Sequence, residues 1–322
     1  MNWTRLRSTR EFGLLVLLLT VVVLVTGINH SFLAPDNVRD VLIKAAAAVI
    51  VGCGLTLVVV TGEIDISMGS LMGLLAVVMG LCTSSDFKGW SPATGILITL
   101  GLGALVGLVN GLLVVYGRVP SIIVTLGMLT ALKGVTTILS GGNWIEHLPD
   151  GLRQLGTGAV AGVPIPVLVA ALVLLASAWL AISTPLGRRI YAVGSNPAAA
   201  RLAGLKVGRI KLFVFALTGL LTAVATLVSA TKLSVIEAGT GQNFELLAVT
   251  CVVVGGTAIS GGRGNVMGTA IAALLLAIIG TALIFLKLGA SATYWEPAIQ
   301  GGFILAAVLA DHLLRGQRKV TA

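Results

Sequence analysis

From Leu186 to Lys211 the chain reads LGRRIYAVGSNPAAARLAGLKVGRIK, with six cations (Arg188, Arg189, Arg201, Lys206, Arg209, Lys211) and no acidic residue. Hydrocarbon excludes such a segment, whereas the long apolar runs on either side of it have bilayer length. The chain is therefore a set of spans interrupted by a polar loop held in water. Composition agrees: 57% of the residues are hydrophobic and only 10% charged, against about 25% charged in soluble domains. The expected class is an all-α integral membrane protein.

Apolar stretches read near 12–31, 41–61, 67–83, 94–116, 121–140, 164–182, 212–231, 245–259, 266–286 and 297–313. About ten transmembrane helices in one domain over 1–322 are expected, with eight or twelve keeping the same parity. Those near 67–83 and 245–259 are short or broken by glycine, and open backbone at that depth needs protein or a water-filled cavity around it. Met1 to Thr26 carries Arg5, Arg7 and Arg10 before a Leu/Val run; without a convincing small-residue cleavage site it reads as an uncleaved first helix.

Charge sets the orientation. With the N-terminus inside, the inner loops hold Arg5, Arg7, Arg10, Arg118, the six loop cations, Arg263, Arg315, Arg318 and Lys319. The outer loops hold only Arg39, Lys88, Arg153, Lys232 and Lys287. Positive-inside sorting then puts both termini and the loop at 186–211 in the cytoplasm. The same sorting accounts for the net charge of +9 without nucleic acid as a partner. Cys53, Cys82 and Cys251 have no paired spacing and read as small apolar fillers.

Catalytic signatures are missing. No Gly-Lys dipeptide occurs, so no phosphate-cradling P-loop exists; G-x-S-x-G and H-E-x-x-H are absent too. The chain reads as a non-enzyme that binds no cofactor itself. Work against a gradient would have to come from an ion gradient or another subunit. A gradient-driven carrier needs ionisable groups within its spans, and here the set is thin: Lys44, Lys133, Glu63, Asp65, Glu245 and Glu296.

Two strings stand out. In Thr61-Gly62-Glu63-Ile64-Asp65-Ile66-Ser67-Met68-Gly69-Ser70 two carboxylates follow a valine run, and Ser67 is placed to cap the next helix. The second, Gly255-Gly256-Thr257-Ala258-Ile259-Ser260-Gly261-Gly262-Arg263-Gly264-Asn265, has five glycines in eleven residues, suited to close approach or gating. Gly103, Gly107 and Gly111 share one helix face, as do Gly69 and Gly73, and read as contacts with a neighbouring helix. Val58 to Gly62 and Val252 to Gly256 form a weak internal echo, each followed by Met-Gly.

Taken together these strings resemble the permease subunit of bacterial ABC sugar importers, the ribose, xylose, galactoside, rhamnose and autoinducer-2 group. The pattern G-G-I-D-L-S-V-G-S corresponds to Gly62 through Ser70. Asn110-Gly111, Val119-Pro120-Ser121-Ile122-Ile123-Val124-Thr125-Leu126-Gly127, Tyr191 to Pro197 with Ala198, Ala199, Arg201 and Gly204, and Gly255 to Thr269 follow in the family's order. Glu63 stands where a second glycine is commoner, a variant associated with rhamnose-like members. Thr281-Ala282 replaces an Asn-Gly.

The resemblance implies an ABC importer permease fold in the bacterial plasma (inner) membrane. It implies a second permease subunit, identical or paralogous, two cytoplasmic ATP-binding subunits that carry ATP and Mg, and a periplasmic or lipid-anchored sugar-binding protein. The loop would supply a cytoplasmic coupling helix built on Gly194, Asn196, Pro197, Ala199, Arg201 and Gly204. Asp65, Ser67, Asn110 and Thr125 are the expected substrate-path residues for a neutral, polar sugar. An ion-gradient-driven secondary carrier is the alternative, and a membrane-embedded enzyme a third.

Overall fold

A computed structural model describes residues 3–286, 295–306 and 309. Twelve α-helices follow in order: α1 Trp3–Ile28, α2 Pro35–Val60, α3 Met68–Thr83, α4 Pro92–Val115, α5 Ser121–Ser140, α6 Asp150–Thr157, α7 Ile165–Ser183, α8 Pro185–Ser195, α9 Pro197–Leu202, α10 Val207–Ser229, α11 Phe244–Val254 and α12 Val266–Phe285. Residues 295–306 are also helical. One hairpin, β1 Ala159–Val160 with β2 Val163–Pro164, turns through Ala161 and Gly162, both at positive φ.

Among the described residues, seven helices are long and apolar enough to cross a membrane: α1, α2, α4, α5, α7, α10 and α12. The expected spans at 67–83 and 245–259 contract to the 16-residue α3 and the 11-residue α11. Of the expected span at 297–313, the part beyond residue 306, except residue 309, lies outside the described residues. So do Lys287, Arg315, Arg318 and Lys319.

Local chemistry explains most boundaries. Pro35 opens α2 and Pro92 opens α4, where a missing N–H costs nothing. Ser91 Oγ accepts from Thr94 N at 3.3 Å, capping α4. The valine echo is structural as well: α2 and α11 end in the same hydrogen-bond pattern. Gly62 N donates to Val59 O (2.9 Å) and Glu63 N to Val58 O (3.4 Å); Gly256 N donates to Val253 O (3.0 Å) and Thr257 N to Val252 O (3.1 Å). These are glycine-stopped Schellman ends.

At the centre lies α2, buried continuously from Ala45 to Val60 between α10, α12, α7 and α11. Its Gly54 and the α4 glycines allow backbones to touch. A Cβ on Gly103 would stand 2.6 Å from Gly219 O, and one on Gly107 would strike Phe215 O, so α4 packs directly on α10. Thr56 and Thr269 hydrogen-bond at 2.8 Å and tie α2 to α12 inside the core.

The bundle has two polar ends. At one, Lys232 pairs with Asp40 (3.4 Å), Ile145 and Ile236 form a backbone bridge, and Ser84 Oγ donates to Glu146 O (2.6 Å). At the other, Gly262 N donates to Val60 O (2.8 Å), Tyr191 Oη donates to Gly264 O (2.9 Å), and Lys211 pairs with Glu63. Loops predicted to share a side therefore meet. Lys44 and Lys133 are both exposed, so neither points into the bundle interior.

Candidate functional site

The polar loop begins as α8, which buries Gly187, Ile190 and Val193 and exposes Arg188 and Arg189. Thr184 Oγ1 caps it by accepting from Gly187 N at 3.0 Å. Asn196 then breaks the helix and caps the next, its Oδ1 accepting from Ala198 N (3.1 Å) and Ala199 N (3.0 Å). Pro197 takes the first position of α9, and Gly204 leaves it at φ +80°. A Cβ on Gly204 would meet open space, so its need for glycine is conformational. Pro197, Ala198 and Ala199 face solvent, and Leu202 is 92% exposed. Sequence reading passed over Leu202; an apolar residue beside Arg201 in a polar loop was the available signal.

Gly194 anchors this excursion to the bundle. A Cβ there would collide with Val60 O and approach Gly262 N to 2.7 Å. The expected gating glycines gather on the same joint. Gly255 lies against Thr269 N, Gly256 closes α11, Gly261 lies against Gly62, Gly262 against Ser195 and Gly264 against Val60. The end of α2, the glycine loop and the approach to α9 form one close-packed unit.

Beside it opens a cavity of about 680 Å³ lined by Arg118, Arg201, Lys211 and Glu63, with Val114 and Gly208 among its walls. Glu63, which departs from the family glycine, supplies its carboxylate to Lys211 on α10. The loop's cations are thus partly answered from a distant part of the chain.

The four expected path residues come together but are turned inward. Asp65 Oδ1 accepts from Ser67 N (2.9 Å) and Ser67 Oγ (2.7 Å), and Asn110 Nδ2 donates to Ser67 Oγ (3.0 Å). Ser67, expected to cap α3, makes no side-chain cap hydrogen bond; its own N–H and hydroxyl are held by Asp65 instead. Thr125 Oγ1 donates to Ser121 O at 2.9 Å, and Ile64 N donates to Ser121 Oγ at 3.0 Å. The α2–α3 break is fastened to α4 and α5 in this way. Asp65, Ser67, Asn110 and Thr125 are all buried, and Asn110 Oδ1 has no hydrogen-bond partner among the described residues.

Gly69 and Gly73 were expected to admit a helix. They admit an irregular loop instead: their Cβ atoms would stand 2.7 Å from Gly241 O and 2.6 Å from Thr240 O. The Glu245 carboxylate also rests on Gly69, at the positive end of α3.

A family model described as the permease component of the branched-chain amino acid transport system matches residues 37–308. Among curated relatives, the ribose import permease protein RbsC of Haemophilus influenzae is 35% identical over 97% of this chain and 94% of its own length. The autoinducer 2 import system permease protein LsrC of Photorhabdus laumondii is 35% identical over 96% of this chain and 91% of its own. RbsC of Escherichia coli K12 is 34% identical over 92% of each. No solved structure matches.

Proposed function

Since this chain belongs to the branched-chain amino acid transport system permease family and is similar throughout to sugar and autoinducer import permeases, we propose that it is the solute-conducting subunit of an ATP-driven importer for a monosaccharide or sugar derivative. Pentoses, hexoses, deoxyhexoses such as rhamnose, and autoinducer-2-like compounds are the substrate class. In this reading two copies, or this chain and a paralogue, span the plasma membrane with both termini inside. Two separate ATPase subunits with ATP and Mg bind the α8–α9 face, and a sugar-binding protein docks on the opposite one.

The observation that supports it most is the linkage of α9 to the α2–α3 break. A solvent-facing short helix with an exposed Leu202 is a handle for a partner, and Gly194 against Val60 makes the connection stiff. Force applied at α9 then reaches the core helix through α8. Interiors this tightly packed respond by switching between arrangements rather than by yielding.

Reconstitution with and without a partner ATPase, under ATP and under an imposed ion gradient, tests this reading. Sugar accumulation is expected only with the ATPase and ATP. Gradient-driven accumulation by the lone chain would instead identify a secondary carrier.

A further inference from the structure

Between Lys232 and α11 the chain is not a helix. It leaves the end of the bundle where Lys232 pairs with Asp40, forms the Ile236–Ile145 bridge, and then descends. Its depth follows from its contacts. Thr240 O and Gly241 O lie on Gly73 and Gly69. Gly69 is fourteen residues below the outer end of α3 at Thr83, about 21 Å at 1.5 Å per residue. From the opposite side, α11 rises eleven residues from the glycine joint to Phe244, about 16 Å. Against a hydrocarbon core of about 30 Å, Gly241 to Phe244 sits near mid-membrane.

Irregular backbone at that depth is tolerated only inside protein or along water. The inner side of this segment is covered by α3. Its outer side is not: Glu237, Gly239, Gln242 and Asn243 are exposed, and the Gln242 and Asn243 amides form no hydrogen bond among the described residues. Asn243 holds φ +65° and Gly241 φ +83°, which turn both amides outward just before α11 starts. Lipid cannot face two unpaired amides and open backbone without a cost of several kcal/mol per group.

We propose that Gln242 and Asn243, with Glu245 behind them, line the aqueous path by which a polyhydroxylated neutral solute crosses the membrane. Gly69 and Gly73 of α3 back this wall from within. Amides offer both donors and acceptors, which suits a hydroxyl-rich solute and binds no ion strongly. This assignment rests on the transport reading above and names the site within it.

The test is thiol accessibility in proteoliposomes. In a Cys82→Ser background, with Cys53 and Cys251 buried, Asn243→Cys and Gln242→Cys are exposed separately to a charged, membrane-impermeant methanethiosulfonate. Leu172→Cys, 69% exposed near the middle of the apolar helix α7, serves as the lipid-facing control. Either loop cysteine is expected to react at least tenfold faster than Leu172→Cys, and its modification is expected to block uptake in the complete transporter. Reaction of both no faster than the control, or full uptake after complete modification, would overturn the proposal. Labelling needs neither ATPase nor sugar, so failure of ATP-driven uptake by the unlabelled protein would strike the transport reading alone.

Discussion

Gly194 of α8 lies on the carbonyl of Val60, the last residue of α2, closely enough that a single methyl group on Gly194 would overlap that oxygen. The neighbours are backbone on both sides, Val60 O and Gly262 N, so no side chain can rotate away. Gly194→Ala must push the approach to α9 off the core. Overpacking costs about 1–3 kcal/mol. A lower melting temperature in detergent and loss of ATP-coupled uptake are expected.

Gly204 makes the contrasting case. Its surroundings are empty and only its φ of +80° is special, so Gly204→Ala is expected to cost about 1–2 kcal/mol and Gly204→Asn less. A melting temperature for Gly204→Asn no higher than that for Gly204→Ala would contradict the conformational account.

Glu63 and Lys211 are paired with side chains only partly accessible, at 13% and 19%. Removing one leaves the other desolvated and alone. A double-mutant cycle over Glu63→Gln and Lys211→Met is expected to give a coupling of about 0.5–3 kcal/mol, with the double variant more stable than the sum of the singles predicts. Additive losses would mean that the pair is only a surface contact.

Leu202 is 92% exposed, so Leu202→Ser should leave the isolated protein within about 0.5 kcal/mol of its original stability. Binding to the ATPase should weaken by roughly 30-fold, the loss of one hot-spot anchor of about 2 kcal/mol. A pull-down titration that finds equal affinity would remove Leu202 from the interface.

His147, in the loop after α5, bonds Asp86 through Nδ1 at 2.9 Å. That hydrogen bond, and then the aspartate charge, raise the imidazole above the ordinary histidine value. The small stabilisation is therefore present below about pH 6.5 and fades as pH rises through the higher folded value. An NMR titration of His147 should show the upward shift, and Asp86→Asn should abolish it.

Much of this was legible locally. The span 121–140 is α5 to the residue, because Pro120 and Gly141 bracket it. The frame Asn196-Pro197 to Gly204 is α9 with its cap and its stop, since capping depends on neighbours only a few residues away. Other features were not legible. Glu63 finds Lys211 148 positions on, and nothing near Glu63 in the chain announces a cation. Gly69 and Gly73 have the spacing of a helix contact, yet that spacing describes only their own helix and says nothing of what approaches it. Glu245 stands at the start of the apolar stretch 245–259, and hydropathy cannot see the descending loop before it.

The sequence by itself determined that this chain lives in a bilayer, the approximate place of its long spans, and which loops share a side. Those properties follow from hydrocarbon solubility, backbone satisfaction and short-range capping, all of which act within a few turns. Only the tertiary structure decided that α8, which leads into α9, is bolted to α2 through Gly194 and Val60. It alone turned the expected path residues inward and set the loop at Thr240 and Gly241, just before Gln242 and Asn243, against Gly73 and Gly69 of α3. Each of these depends on which distant backbone segments close against one another, a choice made by the packing of the whole bundle.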